Sequence, residues 1–227
     1  MKIIYSQKNV VLILLGFVSL AISASLNAQT DPENPYPQML FPKFAKSMLL
    51  MKNGDKRVAT LNYNTVDEEM IFSQNNQYFT LDRPSDLDTI YLQNRKFVYV
   101  EKAFYEVIAN GTVAMFIQHK NRYTSAGTPT AYGLTSKTNA TVTISTARVG
   151  NQVRSLDVPD NVVISNGTTY WVRIKDGMHK FTSDRQFLKI FPDKETDLKT
   201  FMKKSKIDIK SREDLIKLGN YCNEIYK

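Results

Sequence analysis

The alternation of apolar and polar positions divides the chain into three parts. An apolar run covers residues 10–22, alternating patterns broken by turn residues cover 47–174, and apolar residues at helical spacing begin after 180. Alternation with a period of two is typical of strands, whereas apolar residues at i, i+3 and i+4 are typical of amphipathic helices. We therefore expect a sheet in the middle of the chain and helices at its C-terminal end.

Three Asn-Gly pairs, each lying between two strand-like runs, predict β-hairpins. Asn and Gly tolerate the positive φ angles that a two-residue type I′ turn requires. The predicted hairpins are 47–52 with 57–63, 104–109 with 112–118, and 162–165 with 168–174. Further strands are predicted at 69–72, 77–81, 89–92 and 96–100. Short strands at this spacing, separated by turns, predict an antiparallel meander.

Capping patterns mark two of three predicted C-terminal helices. Ser183 precedes Gln186 by three residues, and Ser211 precedes Asp214 by three residues, so each serine can cap the helix that follows it. Pro192 ends the first helix, and the second is expected to begin directly after it, at residue 193. The apolar stripe of the third helix is Leu215, Leu218, Cys222 and Ile225. These stripes need a sheet to cover, and the strands at 96–100 and 104–108 carry apolar residues on both faces.

Strands that precede helices in this way predict the α+β fold class. We expect one domain over 47–227, with an antiparallel meander sheet over about 47–174 and helices over about 183–226 packed on it. The sheet of such a fold can be strongly curved. Residues 29–46 contain four prolines and no periodicity, which predicts an extended leader into the domain.

The segment 121–160 differs from the rest of the strand region because small and polar residues dominate it. A long polar segment inside a compact domain is usually either functional or mobile. We expect it to fold over one end of the sheet as a long hairpin or lid, or to be merely mobile. If it is a recognition surface, Tyr123 and Tyr132 are the candidate ligand or partner contacts, because tyrosine supplies a large contact area at little entropic cost.

The N-terminus has the order of a secretory signal peptide. Lys2 and Lys8 precede the apolar run, and small residues follow it through Ala28. The run of about 13 residues is short of the roughly 20 that span a bilayer. We expect cleavage after Ala28, with Ser25 as the alternative site and an uncleaved anchor as the alternative fate. A periplasmic or extracellular protein, soluble after cleavage, is the predicted product.

Charge and cysteine content limit the partners and the sources of stability. The net charge is +8, and loss of the two signal lysines leaves about +6, spread along the chain. A balance of this kind favours weak association with an anionic membrane surface, and no motif points to nucleic acid. Cys222 is the only cysteine, so no intramolecular disulfide can form, and we expect a buried thiol in the third helix.

The sequence predicts no catalytic residue, no cofactor site and no metal site. The two histidines, His119 and His179, are far apart and lack the ligand spacing of a zinc site. No nucleophile-elbow pattern surrounds any serine. We expect both histidines to occupy surface strands or loops.

Two acidic clusters are the remaining candidates for chemistry. Asp67, Glu68 and Glu69 form one, and Asp82, Asp86 and Asp88 form the other. Paired carboxylates can hydrolyse glycosidic bonds when they are held at the right separation. Carboxylates in turns also end strands and keep sheet edges soluble, and we favour this structural interpretation.

Several runs resemble uncharacterised exported β-rich proteins of Bacteroidota. They are 60–72 (TLNYNTVDEEMIF), 88–92 (DTIYL), 95–97, 104–107, and the C-terminal pattern from Phe201 through Asn223. The resemblance implies a bacterial envelope origin and carries no mechanism with it.

Two functions remain as hypotheses. The first is a non-enzymatic periplasmic binding or assembly factor for an apolar ligand, a peptide or an envelope protein, suggested by aromatic-rich strands without a catalytic constellation. The alternative is a carboxylate-dependent hydrolase that acts on envelope or dietary glycans. A cleft with two facing carboxylates would favour the hydrolase, and an apolar groove without carboxylates would favour the binding protein. The oligomeric state is not predicted.

Overall fold

The computed structural model describes residues 35–129, 135–136, 148–175 and 177–226. The predicted signal peptide, its cleavage site and Tyr132 lie outside these ranges. No helix in the described part of the chain is long and apolar enough to cross a membrane.

Short strands make up nearly half of the described chain. In chain order they are β1 (Ala45–Met51), β2 (Lys56–Asn64), β3 (Glu69–Gln74), β4 (Gln77–Thr80), β5 (Leu87–Leu92), β6 (Arg95–Val100), β7 (Ala103–Ala109), β8 (Val113–Gln118), β9 (Asn121–Ser125), β10 (Thr128–Pro129), β11 (Thr135–Ser136), β12 (Arg148–Val149), β13 (Gln152–Val153), β14 (Val162–Asn166), β15 (Thr169–Ile174) and β16 (Gly177–Phe181). Three helices follow: α1 (Asp184–Lys189), α2 (Glu195–Lys204) and α3 (Arg212–Ile225). The predicted antiparallel sheet with helices near the C-terminus is confirmed.

Twelve strands form one open antiparallel sheet. Its order is β12, β13, β4, β3, β2, β1, β5, β6, β7, β8, β15, β16. Most neighbours in the sheet are consecutive strands that pair as hairpins. The three exceptions are the pairings of β1 with β5, β8 with β15 and β4 with β13, whose strands are distant in sequence. Two small antiparallel pairs, β9 with β14 and β10 with β11, lie outside this sheet.

Two of the three Asn-Gly pairs lie in hairpins as predicted, and the third prediction is wrong. The expected type I′ turn does not form in either hairpin, because φ is positive at Gly54 and Gly111 but not at Asn53 or Asn110. The strands β1 and β2 pair around Asn53-Gly54, and β7 and β8 pair around Asn110-Gly111. The third pair of strands, β14 and β15, do not pair with each other, because β14 pairs with β9 and β15 pairs with β8. Gly167 is not a type I′ turn residue. It lies where the chain passes Lys120, whose carbonyl oxygen would be 2.8 Å from an added Cβ.

Pairs other than Asn-Gly supply two-residue turns with positive φ at both positions. Asn75 and Asn76 have φ angles of 51° and 58° between β3 and β4. Gln93 and Asn94 have φ angles of 47° and 61° between β5 and β6. These are the angles that a type I′ turn requires.

The segment before β1 is part of the core, although its sequence predicts an extended leader. Phe41 is buried, and Met39 bridges to Asn64 at the end of β2. The side chain of Asn62 accepts a hydrogen bond from Phe41 N and donates one to Phe41 O. This pairing holds the segment against β2, so the packed part of the chain begins before residue 45.

The helix caps follow the sequence prediction. Ser183 Oγ accepts from the Gln186 amide at the start of α1, and Ser211 Oγ accepts from the Asp214 amide at the start of α3. The second helix starts later than predicted, because Pro192–Lys194 forms a 3₁₀ turn before α2.

Helix α3 packs closely on strands β7 and β8. Leu215, Leu218 and Cys222 are buried in a cluster with Val113 and Met115, so the predicted burial of Cys222 is confirmed. At the contact, a Cβ on Gly219 would lie 2.5 Å from Ala109 Cβ and 3.1 Å from Met115 Sδ. The helix therefore approaches the sheet as closely as a residue without a side chain allows.

Candidate functional site: a buried glutamate below a cationic cleft

A glutamate lies in the middle of the sheet with no exposed side-chain surface. Glu106, in β7, stands opposite Phe97 on β6 and Ile117 on β8. Residues opposite each other in antiparallel strands share a face of the sheet, so a carboxylate occupies one position in a row of apolar side chains.

Three cationic or imidazole groups converge on this carboxylate. Arg212 Nε donates to Glu106 Oε1 at 2.5 Å, and Arg95 Nη1 lies 3.4 Å from Oε2. His119 Nε2 lies 2.7 Å from the same Oε2. Since an ionised carboxylate only accepts hydrogen bonds, Nε2 carries the hydrogen that His119 donates. The arrangement joins two strands, a turn and a helix through one buried charge.

The surroundings of Glu106 keep it ionised. Burial alone would raise the pKa of its carboxyl group, but the hydrogen bonds from His119 and Arg212 and the charge of Arg95 lower that pKa below the ordinary glutamate value. The carboxylate is therefore a fixed negative charge at neutral pH that positions its three partners.

Local structure fixes each partner. Arg95 begins β6 directly after the Gln93-Asn94 turn, and its guanidinium lies 5.1 Å from the centre of the Phe41 ring. His119 follows the last residue of β8. Arg212 is the first residue of α3, directly after the Ser211 cap, so the capped helix start determines its position.

These partners line an open cavity of about 590 Å³, which we call the arginine cleft. Its cationic residues are Arg95, Lys210 and Arg212, its polar neutral residues include Asn166, Thr168 and Thr182, and Glu213 is the carboxylate on its wall. The three basic side chains outnumber the two carboxylates, Glu213 on the wall and Glu106 beneath it, so the cleft carries a net positive charge. Side chains of this kind bind carboxylates and phosphates, and Arg does so in a bidentate manner.

The acidic residues at 67–69 are engaged in ion pairs. Glu68 accepts from Lys120 Nζ and from Gln118 Nε2. Arg148 pairs with Asp67 at 3.3 Å and with Glu69 at 2.8 Å. These ion pairs tie the β2–β3 connection to the segment after β8 and to β12.

The second acidic cluster is at the surface. Arg83 lies 3.8 Å from Asp82 and 3.7 Å from Asp86. Asp88 accepts a hydrogen bond from the neighbouring Thr89 hydroxyl. Neither acidic cluster lines the arginine cleft.

The structure places Tyr123 away from the surface. This residue lies in β9 opposite Ile164 of β14 and is only 7% exposed. Burial, with a smaller effect of the Asp67 charge, raises the pKa of its phenol to about 12. Its contact role stays a prediction, and a partner could reach its ring only by displacing the residues that cover it.

The two histidines occupy different environments. His179 is exposed on β16, as predicted. The expected surface position of His119 is wrong, because its side chain is 14% exposed and bound to Glu106. The spacing between the two histidines gives no sign of this buried position, because the partner of His119 is the Glu106 carboxylate on the neighbouring strand.

Sequence reasoning missed Glu106 and its partners, although one local signal marks the position. The strand AFYEVIA contains a single charged residue among apolar residues on both faces. A charge at such a position requires partners from elsewhere in the chain. The sequence does not show which residues supply them.

No group of three or more His, Cys, Asp or Glu residues in the described ranges could hold a metal ion. No protein-family model matches the chain, and neither a curated protein nor a solved structure matches it.

Proposed function

We propose that this chain is an exported envelope protein that binds a carboxylate- or phosphate-bearing ligand in the arginine cleft and does not transform it. The observation that carries the proposal is the buried Glu106 charge, which holds Arg95, Arg212 and His119 together at the cleft. Export rests on the signal-like N-terminus.

The cluster leaves donors for a ligand. Arg212 uses Nε and Arg95 uses Nη1 toward Glu106, and each guanidinium carries five N–H donors. The two side chains are 26% and 30% exposed, so their remaining donors are accessible to a small anion. Pre-positioned cations lose little freedom on binding, which favours affinity.

A contribution to folding stability does not by itself explain why the chain has this buried charged cluster. Burying a charge with its partners costs desolvation energy, and replacing buried ion pairs with apolar residues is often neutral or stabilising. The neighbours Phe97 and Ile117 indicate that an apolar side chain would suit the position of Glu106. A charged cluster beside a cleft is therefore a candidate functional site.

The hydrolase hypothesis gains no support from this geometry. A glycosidase acid has a raised pKa so that it can donate a proton. Glu106 has a lowered pKa and is held by two arginines, so it is suited to positioning cations.

We also infer that the sheet is strongly curved. The strands β2 and β6 are separated by β1 and β5 in the sheet, which would place them about 14 Å apart if it were flat. The rings of Tyr63 on β2 and Phe97 on β6 nevertheless stack with centroids 6.0 Å apart. Curvature of this kind supports a concave face beside Glu106, which stands next to Phe97.

Calorimetric titration of the chain from Gln29 onward with citrate and with pyrophosphate tests the binding proposal. We expect saturable binding of at least one of these anions with a Kd near or below about 1 mM. Lys210→Glu removes a cleft cation without touching Glu106 and should weaken that binding about tenfold, which corresponds to about 1.4 kcal/mol. Arg212→Lys retains the positive charge but loses the planar guanidinium that can donate two parallel hydrogen bonds to an anion. It should therefore weaken binding less than Lys210→Glu does.

Arg185→Glu is the matched control, because Arg185 is an exposed residue of α1 outside the cleft. The control should bind like the original chain. If neither anion binds, or if Arg185→Glu and Lys210→Glu reduce binding equally, the proposal is wrong.

A further inference from the structure

A second groove lies between α1 and the end of α2 and shares no lining residue with the arginine cleft. Its volume is about 480 Å³, within the usual range for small-molecule sites. We call it the lysine groove. It is lined by Asp184 and Leu188 of α1, Lys199, Met202 and Lys203 of α2, and Lys206 and Ile207 after that helix.

The floor of the lysine groove is apolar and its rim is basic. Met202 is 7% exposed, Ile207 is 9% exposed, and Leu188 is half-buried. Lys199, Lys203 and Lys206 are all exposed. Their ammonium groups outnumber the single Asp184 carboxylate at the rim.

The three lysines are not explained by ion pairs. None of them lies within 4.0 Å of a carboxylate oxygen of the described residues. Lys199 and Lys203 are four residues apart on one helix, a spacing at which like charges destabilise the helix. A lysine in the last turn does stabilise the helix dipole, but Lys204 could do so without facing the groove.

We infer that the lysine groove binds a fatty acid, with the acyl chain over Leu188, Met202 and Ile207 and the carboxylate at the lysine rim. An apolar groove with cations at its rim is complementary to a single-chain anionic amphiphile. A membrane surface is a poorer match, because Met202 and Ile207 are recessed and a bilayer needs apolar side chains that protrude into it.

Titration of the chain from Gln29 onward with octanoate, decanoate and laurate, each below its micelle concentration, tests this inference. Each added methylene should tighten binding by up to about fourfold, until the groove is filled. The cationic dodecyltrimethylammonium ion, with the same chain length as laurate, should not bind. Laurate that does not bind, or affinity that does not depend on chain length, would overturn the inference.

Charge variants locate the carboxylate. Lys199→Gln with Lys203→Gln should weaken laurate binding about tenfold, because two exposed ion pairs are lost. Lys204→Gln, on the same helix but outside the groove, is the control and should bind laurate normally. Equal losses in both variants would show diffuse attraction and would contradict the inference.

Three further measurements separate this site from the other surfaces. Leu188→Gln keeps every charge and should reduce the dependence on chain length, with the fold checked by circular dichroism. Lys210→Glu, in the arginine cleft, should leave laurate binding unchanged, so the two sites can fail independently. Association with phosphatidylglycerol vesicles without saturable laurate binding would identify a membrane surface and would overturn the inference.

Discussion

The side-chain amide of Asn223 pairs with both backbone groups of Val113. Its Oδ1 accepts from Val113 N at 3.0 Å, and its Nδ2 donates to Val113 O at 2.8 Å. The amide thereby occupies the place of a neighbouring strand at the start of β8. The Arg212–Glu106 pair holds the other end of α3, so polar contacts fix both ends of this helix on the sheet.

Replacing Asn223 with Leu should destabilise the protein by about 2 kcal/mol. The substitution keeps the branched shape of the side chain but leaves the N–H and C=O of Val113 without their partner. Urea unfolding followed by circular dichroism measures the change. Asn220→Leu, at an exposed position of the same helix, is the control. Equal stability of the two variants would show that the amide pairing contributes nothing.

Gly219→Ala should also destabilise the protein, against the usual effect of alanine in a helix. Alanine favours a helix interior by about 1 kcal/mol relative to glycine. The added methyl group would lie 2.5 Å from Ala109 Cβ, and overpacking of this kind costs about 1–3 kcal/mol. Thermal unfolding should give a lower Tm for Gly219→Ala and an unchanged or higher Tm for Asn220→Ala. A raised Tm for Gly219→Ala would contradict the close contact.

Acid should weaken the protein through Glu106. Its folded-state pKa lies below the ordinary value, so the stability that it contributes is complete above the unfolded-state pKa near 4.3. That contribution is lost as the pH falls through the lower folded-state pKa. Glu106→Gln should destabilise the chain at pH 7, because Arg95 and Arg212 lose their buried partner.

Unfolding curves between pH 7 and pH 2.5 measure this effect. The difference in stability between the original chain and Glu106→Gln should shrink below about pH 4. Asp88→Asn, at an exposed position of β5, serves as the control for the remaining carboxylates. A difference that stays constant with pH would show that folding does not lower the pKa of Glu106.

A thiol reagent should modify Cys222 only in the unfolded protein. Its side chain has no exposed surface, and burial raises the pKa of its thiol to about 12. Only the thiolate reacts, so the folded protein offers almost no reactive species. The labelling rate with and without guanidinium chloride measures the effect, with glutathione as the reference thiol. Labelling of the folded chain at the rate of glutathione would show that Cys222 is not buried between α3 and the sheet.

Local chemistry made part of this fold predictable. The Ser183 and Ser211 caps and the hairpin at Asn110-Gly111 each depend on residues within a few positions of one another. The pairing of β14 with β9 was not predictable in this way, because Asn166-Gly167 resembles a hairpin turn and the true partner is about 40 residues earlier.

The candidate site was largely hidden for the same reason. The partners of Glu106 lie 11, 13 and 106 positions away, so no spacing rule connects them. The charge of Glu106 within an apolar strand showed only that partners were needed. The polar segment suggests Tyr123 and Tyr132 as recognition residues, whereas Tyr123, the one of the two within the described ranges, lines neither site.

The adjacency of β8 and β15 has a consequence for how this protein can vary. The chain departs from β8 after Gln118, adds β12 and β13 at the other edge of the sheet, and returns beside β8 at Thr169, which pairs with Gln118. Each doubling of the length of a loop costs only about 0.6 kcal/mol. Insertions and deletions among related chains should therefore concentrate between these two residues, while the helices and the Glu106 cluster keep their positions.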